Sequence, residues 1–242
     1  MGRRLVILQN ADFEKSVAYY KSLKLEDAVF SGDNKLLLKY SHAVAFSMVM
    51  WAQKLSDAPE WALPYLLQLK TDAIHLIPST ILGNKRTLHL YERAGIEDFL
   101  RYVYFFDHRI EHLLLQNQAR RFKNFDFLIE WLKNYPLLGS YEENISESCG
   151  ELSSRYSELS RTVHGTTLAD AELTDSLKNL QKPIEHPSVE TNMMKSIFRN
   201  IFFLLSLFHL EKYNRLSLDE KMIICQHLSA KEKQILSKLD QG

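Results

Sequence analysis

NKRTLHLYERAGIEDFLRYVYFF, residues 84–106, decides the fold. It contains no proline and one glycine, and Leu88, Tyr91, Ile96, Phe99 and Val103 recur at helical spacing. Steps of about 100° per residue bring Arg86, Arg93, Glu97 and Arg101 close to one line on that helix. A polar line on so apolar a helix is either a solvated face or a buried pair. Arg93 and Glu97, four apart, are able to bond each other. Gly95 between them costs about 1 kcal/mol relative to alanine, so close approach of another backbone is expected there.

A second stretch belongs with the first: Tyr156-Ser157-Glu158-Leu159-Ser160-Arg161-Thr162-Val163-His164-Gly165. It reads as the last turns of a helix spanning about 147–163, and Gly165 suits the left-handed position beyond a helix end. Outward from these two helices, glycine and proline remain scarce, which favours helices over a turn-rich β architecture. Asp12 is expected to cap a first helix through Leu25. A turn at Ser31-Gly32-Asp33-Asn34 opens a helix through Leu55, and Met48 and Met50 on it read as core filling. Asp57-Ala58-Pro59 starts the next helix, which Pro78-Ser79-Thr80 ends or kinks. After a break at Asp107-His108 come a short helix through Leu115 and another at 118–134. Residues 138–148 read as a loop and 182–188 as a linker. A long helix at 188–213 and two short ones follow, the last with Ser229 and Glu232 at capping-box spacing. Only residues 5–8 suggest a strand. The expected fold is an all-α bundle with peripheral helices. Its division is N-terminal helices in 1–60, the bundle in 61–215 and short C-terminal helices in 216–242.

The formal net charge is zero, with 30 basic and 30 acidic residues, so overall electrostatics argue for neither nucleic-acid nor membrane binding. Cys149 and Cys225 form no CxxC pair, as a reducing compartment tolerates. The N-terminal apolar run is short for a signal peptide. The most apolar run, 197–210, is interrupted by Arg199, Asn200 and His209, which suits a buried helix and not a membrane span. A soluble, cytoplasmic protein is expected.

Two histidine patterns invite chemistry. His108-Arg109-Ile110-Glu111-His112 spells the inverted zinc-protease motif, which needs both histidines on one helix and a third acidic ligand downstream. No clear third ligand follows, and Asp107-His108 reads as a helix boundary, so no metal and no cofactor is expected. His164 is the more promising group. It sits at a helix C-terminus with Ser160 and Arg161 one turn back. A histidine there is able to exchange protons with a ribose 2′-hydroxyl or a leaving oxygen, and an arginine is able to hold the phosphate. The alternative is a histidine that caps the last carbonyls of its helix.

The pair of motifs, Leu90-Tyr91-Glu92-Arg93-Ala94-Gly95-Ile96-Glu97 and Tyr156-x-x-Leu159-Ser160-x-x-Val163-His164-Gly165, resembles the HEPN superfamily over residues 66–208. The name denotes the higher-eukaryote and prokaryote nucleotide-binding domain. The resemblance implies a compact helical bundle, often dimeric, from bacterial antiviral-defence or toxin–antitoxin systems, many members being metal-independent endoribonucleases. It implies His164 as a catalytic residue, with either Arg161 or Arg93 in the role of the motif arginine and Ser160, Glu97 and Tyr156 in support. RNA is the implied substrate, and a second copy or a larger complex the implied partner. Active members carry an arginine, four to six intervening residues and then the histidine; here Leu159, Glu158 and Ser157 fill the positions open to that arginine. The resemblance therefore leaves two functions open: an RNA-cleaving effector, and a non-catalytic subunit that mediates dimerisation or assembly.

Overall fold

The computed structural model describes residues 4–22, 27–117, 123–165 and 183–239. Helix boundaries follow local chemistry. Asn84 is an N-cap whose side chain accepts from the Thr87 N–H at 2.9 Å, and helix α4 (Lys85–Asp107) starts from it. Gly83, at φ +64°, turns the chain tightly into α4 from α3 (Leu63–Ile81). Pro64 and Pro187 occupy first turns, of α3 and of α8 (Pro187–Phe208), where their missing N–H has no helical partner to lose. Helix α7 (Glu142–His164) closes on Gly165 at φ +56°, the left-handed terminus expected. The remaining helices are α1 (Arg4–Ser22), α2 (Gly32–Lys54), α5 (Arg109–Asn117), α6 (Phe125–Lys133), α9 (Leu210–Asn214), α10 (Leu218–Cys225) and α11 (Ala230–Leu239), with 3-10 turns at Asp27–Phe30 and Pro136–Tyr141. No strand occurs among the described residues. The fold is all-α.

Five long helices form a closed ring: α2 packs on α3, α3 on α4, α4 on α7, α7 on α8, and α8 back on α2. Helices α4 and α8 also meet across the middle. Helix α8 is buried on nearly all sides, with Ile197, Phe198, Ile201, Phe202, Phe203, Leu204 and Leu205 at most 1% exposed. Each such side chain contributes about 1.5–3 kcal/mol through burial. Helix α6 lies against α4 and α7, while α10 contacts α1 and α2 and α11 contacts α8. Around Phe13, Val17, Val29 and Phe30 a small separate cluster fastens α1 to the rest.

Several boundaries differ from the sequence reading. Residues 5–8 are helical, and Asp12 lies inside α1, where its carboxylate pairs with the buried His42 Nε2 at 3.0 Å. Helix α3 begins at Leu63, after a turn at 60–62. Helix α7 begins at Glu142, inside the expected loop, because Ile145, Cys149 and Leu152 continue its buried line and Glu142 and Glu143 suit a helix N-terminus. The long C-terminal helix breaks at His209, whose buried imidazole bonds the Tyr102 hydroxyl at 2.8 Å. Of the helix expected at 118–134, residues 118–122 lie outside the described residues. The part at Phe125–Lys133 starts from the Asn124 cap. Ser217/Glu220 and Ser229/Glu232 both form reciprocal capping boxes.

Candidate functional site

The polar line of α4 faces α7 and α3. Arg93 Nη2 donates to the Tyr156 hydroxyl at 2.7 Å, and that hydroxyl donates to Glu97 Oε1 at 2.8 Å. Arg93 and Arg101 both reach Glu97, at 3.0 and 2.6 Å, so one carboxylate lies between two guanidinium groups. Phe125 of α6 stacks on the Tyr156 ring with centroids 3.8 Å apart. Arg101 continues the network to Asp98 at 3.0 Å, and Asp98 sits beside Asp72 of α3. Burial, and then the Asp98 carboxyl, push Asp72 up to about 7. Gln68 donates to Asp72 Oδ1 at 3.0 Å.

One further contact sets the register of α4 on α7. Arg86 Nε and Nη2 both donate to the Val163 carbonyl, at 3.1 and 2.8 Å. Seven residues separate Arg86 from Arg93, and seven separate Tyr156 from Val163, so antiparallel contacts recur every two turns. Arg86, not His164, satisfies a terminal carbonyl of α7. The His164 imidazole is exposed, as is Arg161, and neither bonds another described residue. Ser160 Oγ is buried and lacks a partner among the described residues.

The six residues singled out in the sequence thus divide. Arg93, Glu97 and Tyr156 come together and bond one another. Arg161 and His164 stand at the open end of α7, with Ser160 behind them. Tyr156 and His164 are eight residues apart, about 12 Å along the helix, so Arg93 belongs to the Tyr156 level and Arg86 to the His164 level. Arg86 was visible in the sequence as the first member of the polar line; only the register of α7 shows which carbonyl it meets. Gly95, expected beneath another backbone, instead faces the Leu69 and Phe198 side chains, with room for a methyl group at ordinary contact distance.

A second polar line on α4 escaped the sequence reading. Lys85, His89 and Glu92, spaced i, i+4, i+7, point to α8. Glu190 there meets Lys85 at 3.0 Å and His89 at 2.6 Å. Burial lifts Glu92 well above the usual carboxylate range, and the charge of Glu190 adds to this. Its two oxygens have no partner among the described residues. Burial thus favours the neutral form of Glu92, while Lys85 and His89 make the polar contacts of α4 with Glu190 of α8.

The inverted zinc-protease pattern spans a helix break, as expected. His108 is the C-cap of α4; its Nδ1 lies 2.6 Å from the Tyr104 carbonyl and its ring stacks on Tyr104 at 4.1 Å. His112, on α5, packs edge-on against Tyr65 and Phe105. Glu111 accepts from Tyr104 and pairs with Lys123. The three side chains of the motif are thus each engaged by aromatic or cationic neighbours. Comparison with protein-family models, with curated proteins and with solved structures returns no match for the chain.

Proposed function

We propose that the chain is a HEPN-like component of a bacterial antiviral-defence or toxin–antitoxin system, and that the open end of α7 handles an RNA phosphodiester without metal. The observation that carries this reading is the exposed pair Arg161 and His164 beside Arg86, which is anchored on the adjacent Val163 carbonyl. A flexible guanidinium, a fixed cationic neighbour and an imidazole suit a phosphodiester and its 2′-hydroxyl. In this proposal His164 accepts the 2′-hydroxyl proton, the 2′-oxygen bonds phosphorus, the bond to the 5′-oxygen breaks, and that oxygen takes a proton from water. The products are a 2′,3′-cyclic phosphate and a free 5′-hydroxyl. Arg161 holds the phosphate and Arg86 is a positioning residue.

A second reading, a non-catalytic subunit that dimerises or docks on a larger complex, draws on the bonds that Arg93, Glu97 and Tyr156 make with one another. Those groups then brace the bundle and take no part in chemistry. The test is cleavage of end-labelled RNA in EDTA by the wild type and by folded His164→Ala, alone and with co-purifying partners. The effector reading expects cyclic-phosphate products from the wild type and a loss of roughly 10²–10⁴-fold in the variant. Equal cleavage by both removes His164 from the mechanism. No cleavage by the wild type with its partners present favours the subunit reading.

A further inference from the structure

On the opposite wall of the ring from α4, the N-terminal halves of α2 and α8 line an open pocket of about 350 Å³ at the surface. That is at the small end of the range of roughly 300–1,000 Å³ typical of small-molecule sites. Its walls are two helical lines of the same spacing: Leu36, Tyr40 and Ala43 on α2, and Ser188, Asn192 and Lys195 on α8. Lys39 joins from α2, and Gln226, just past α10, closes one end. The two lysines face the cavity from different helices, and neither pairs with a carboxylate among the described residues. Lys195 Nζ lies 5.7 Å from the centre of the Tyr40 ring. Asp33 is the one acidic group among the described lining residues, leaving a balance of one positive charge.

Tyr40 is held as a fixed wall by a buried relay. His227 lies against its hydroxyl, Nδ1 to Oη 3.2 Å, and His227 Nε2 meets Ser47 Oγ at 2.8 Å. Ser47 donates its single proton to the Ala43 carbonyl at 2.8 Å. It therefore accepts from His227 Nε2–H, which leaves Nδ1 as an acceptor for the Tyr40 hydroxyl. The imidazole is buried, with Phe202 stacked on it at 4.5 Å. The hydroxyl proton of Tyr40 is thus committed inward and its ring is oriented before any ligand arrives.

We propose that this cavity is a binding site for a small organic anion, a carboxylate or phosphate on a flat apolar body, with Lys39 and Lys195 holding the anion and the body lying against Tyr40. The site lies on α2 and α8 and does not depend on the chemistry of the α7 terminus. Benzoate and phenyl phosphate are suitable probes, with benzamide as the uncharged control, titrated calorimetrically into the full-length chain. At least one anion is expected to bind saturably, and the tighter of the two identifies the headgroup. Lys39→Met and Lys195→Met, which keep the apolar stem, are each expected to weaken it by about tenfold, and the affinity of the wild type is expected to fall with added sodium chloride. The proposal is overturned if neither anion binds at millimolar concentration, if benzamide binds as well as the anions, or if a folded double variant binds like the wild type. Should the double variant not fold, an affinity of the wild type that is independent of salt overturns it equally.

Discussion

Asp72 shows how a single buried group ties stability to pH. It is 2% exposed, and Asp72 Oδ2 meets no N–H or O–H donor among the described residues. Burial and the neighbouring Asp98 carboxyl, itself raised by burial, both favour a proton on Asp72. The unfolded aspartate releases its proton near 3.9, whereas the folded one retains it to about 7. Between those values the folded state binds more protons, so this contribution falls as pH rises, by up to about 1.4 kcal/mol per pH unit. Asparagine reproduces the protonated acid, accepting from Gln68 and donating to Asp98. Asp72→Asn should therefore flatten the dependence of the urea midpoint on pH between 5 and 7 and raise it above pH 7; an unchanged profile would show that Asp72 ionises normally. Glu97 is a different case, a carboxylate bridging Arg93 and Arg101. Glu97→Ala leaves both half-buried guanidinium groups without it and is expected to cost about 2 kcal/mol, less than the 3–5 of a fully buried pair. Tyr156→Phe should cost about 1 kcal/mol by the same denaturation measurement.

Among the elements, α4 carries both polar lines and contacts three other members of the ring. The glycine in its middle weakens it. A methyl group at position 95 would lie 3.6 Å from Leu69 Cδ1 and 3.7 Å from Phe198 Cζ, ordinary van der Waals contacts. Gly95→Ala is accordingly expected to raise stability by about 0.5–1 kcal/mol through helix propensity. At Gly165 the sign reverses. Its φ of +56° disfavours a side chain, and Gly165→Ala should cost about 1 kcal/mol and fray the turn that carries His164. Helix α1 stands apart from the ring, fastened by its small cluster, with Ile7, Leu8 and Tyr19 more than half exposed. Hydrogen exchange should release its amides well before those of α4 and α8; equal protection would place α1 in the same cooperative unit.

At the scale of the whole molecule, two buried histidines oppose the aspartate. Burial pushes His209 down to about 4 and His227 down to about 3, so both are neutral in the fold and charge readily once unfolded. Their contribution is complete above pH 6.5 and is lost as pH falls toward those values, by up to about 1.4 kcal/mol per unit for each. His227→Gln should shallow the acid limb of the stability profile; an unaltered limb would assign the acid loss elsewhere. Sequence alone determined that the chain is helical, where most helices start and stop, and which faces of α4 are apolar, because periodicity and capping act within a few residues. It also marked out Arg93, Glu97, Tyr156 and His164 as one group of interest. Tertiary structure decided how that group divides. Arg93 meets Tyr156 across 63 residues of chain, and whether an arginine is consumed in a brace or stands beside a histidine depends on the register of two helices. The Lys85–His89–Glu190 cluster and the cavity at Tyr40 were equally beyond the sequence, since their partners come from helices distant in the chain and meet only when the ring closes.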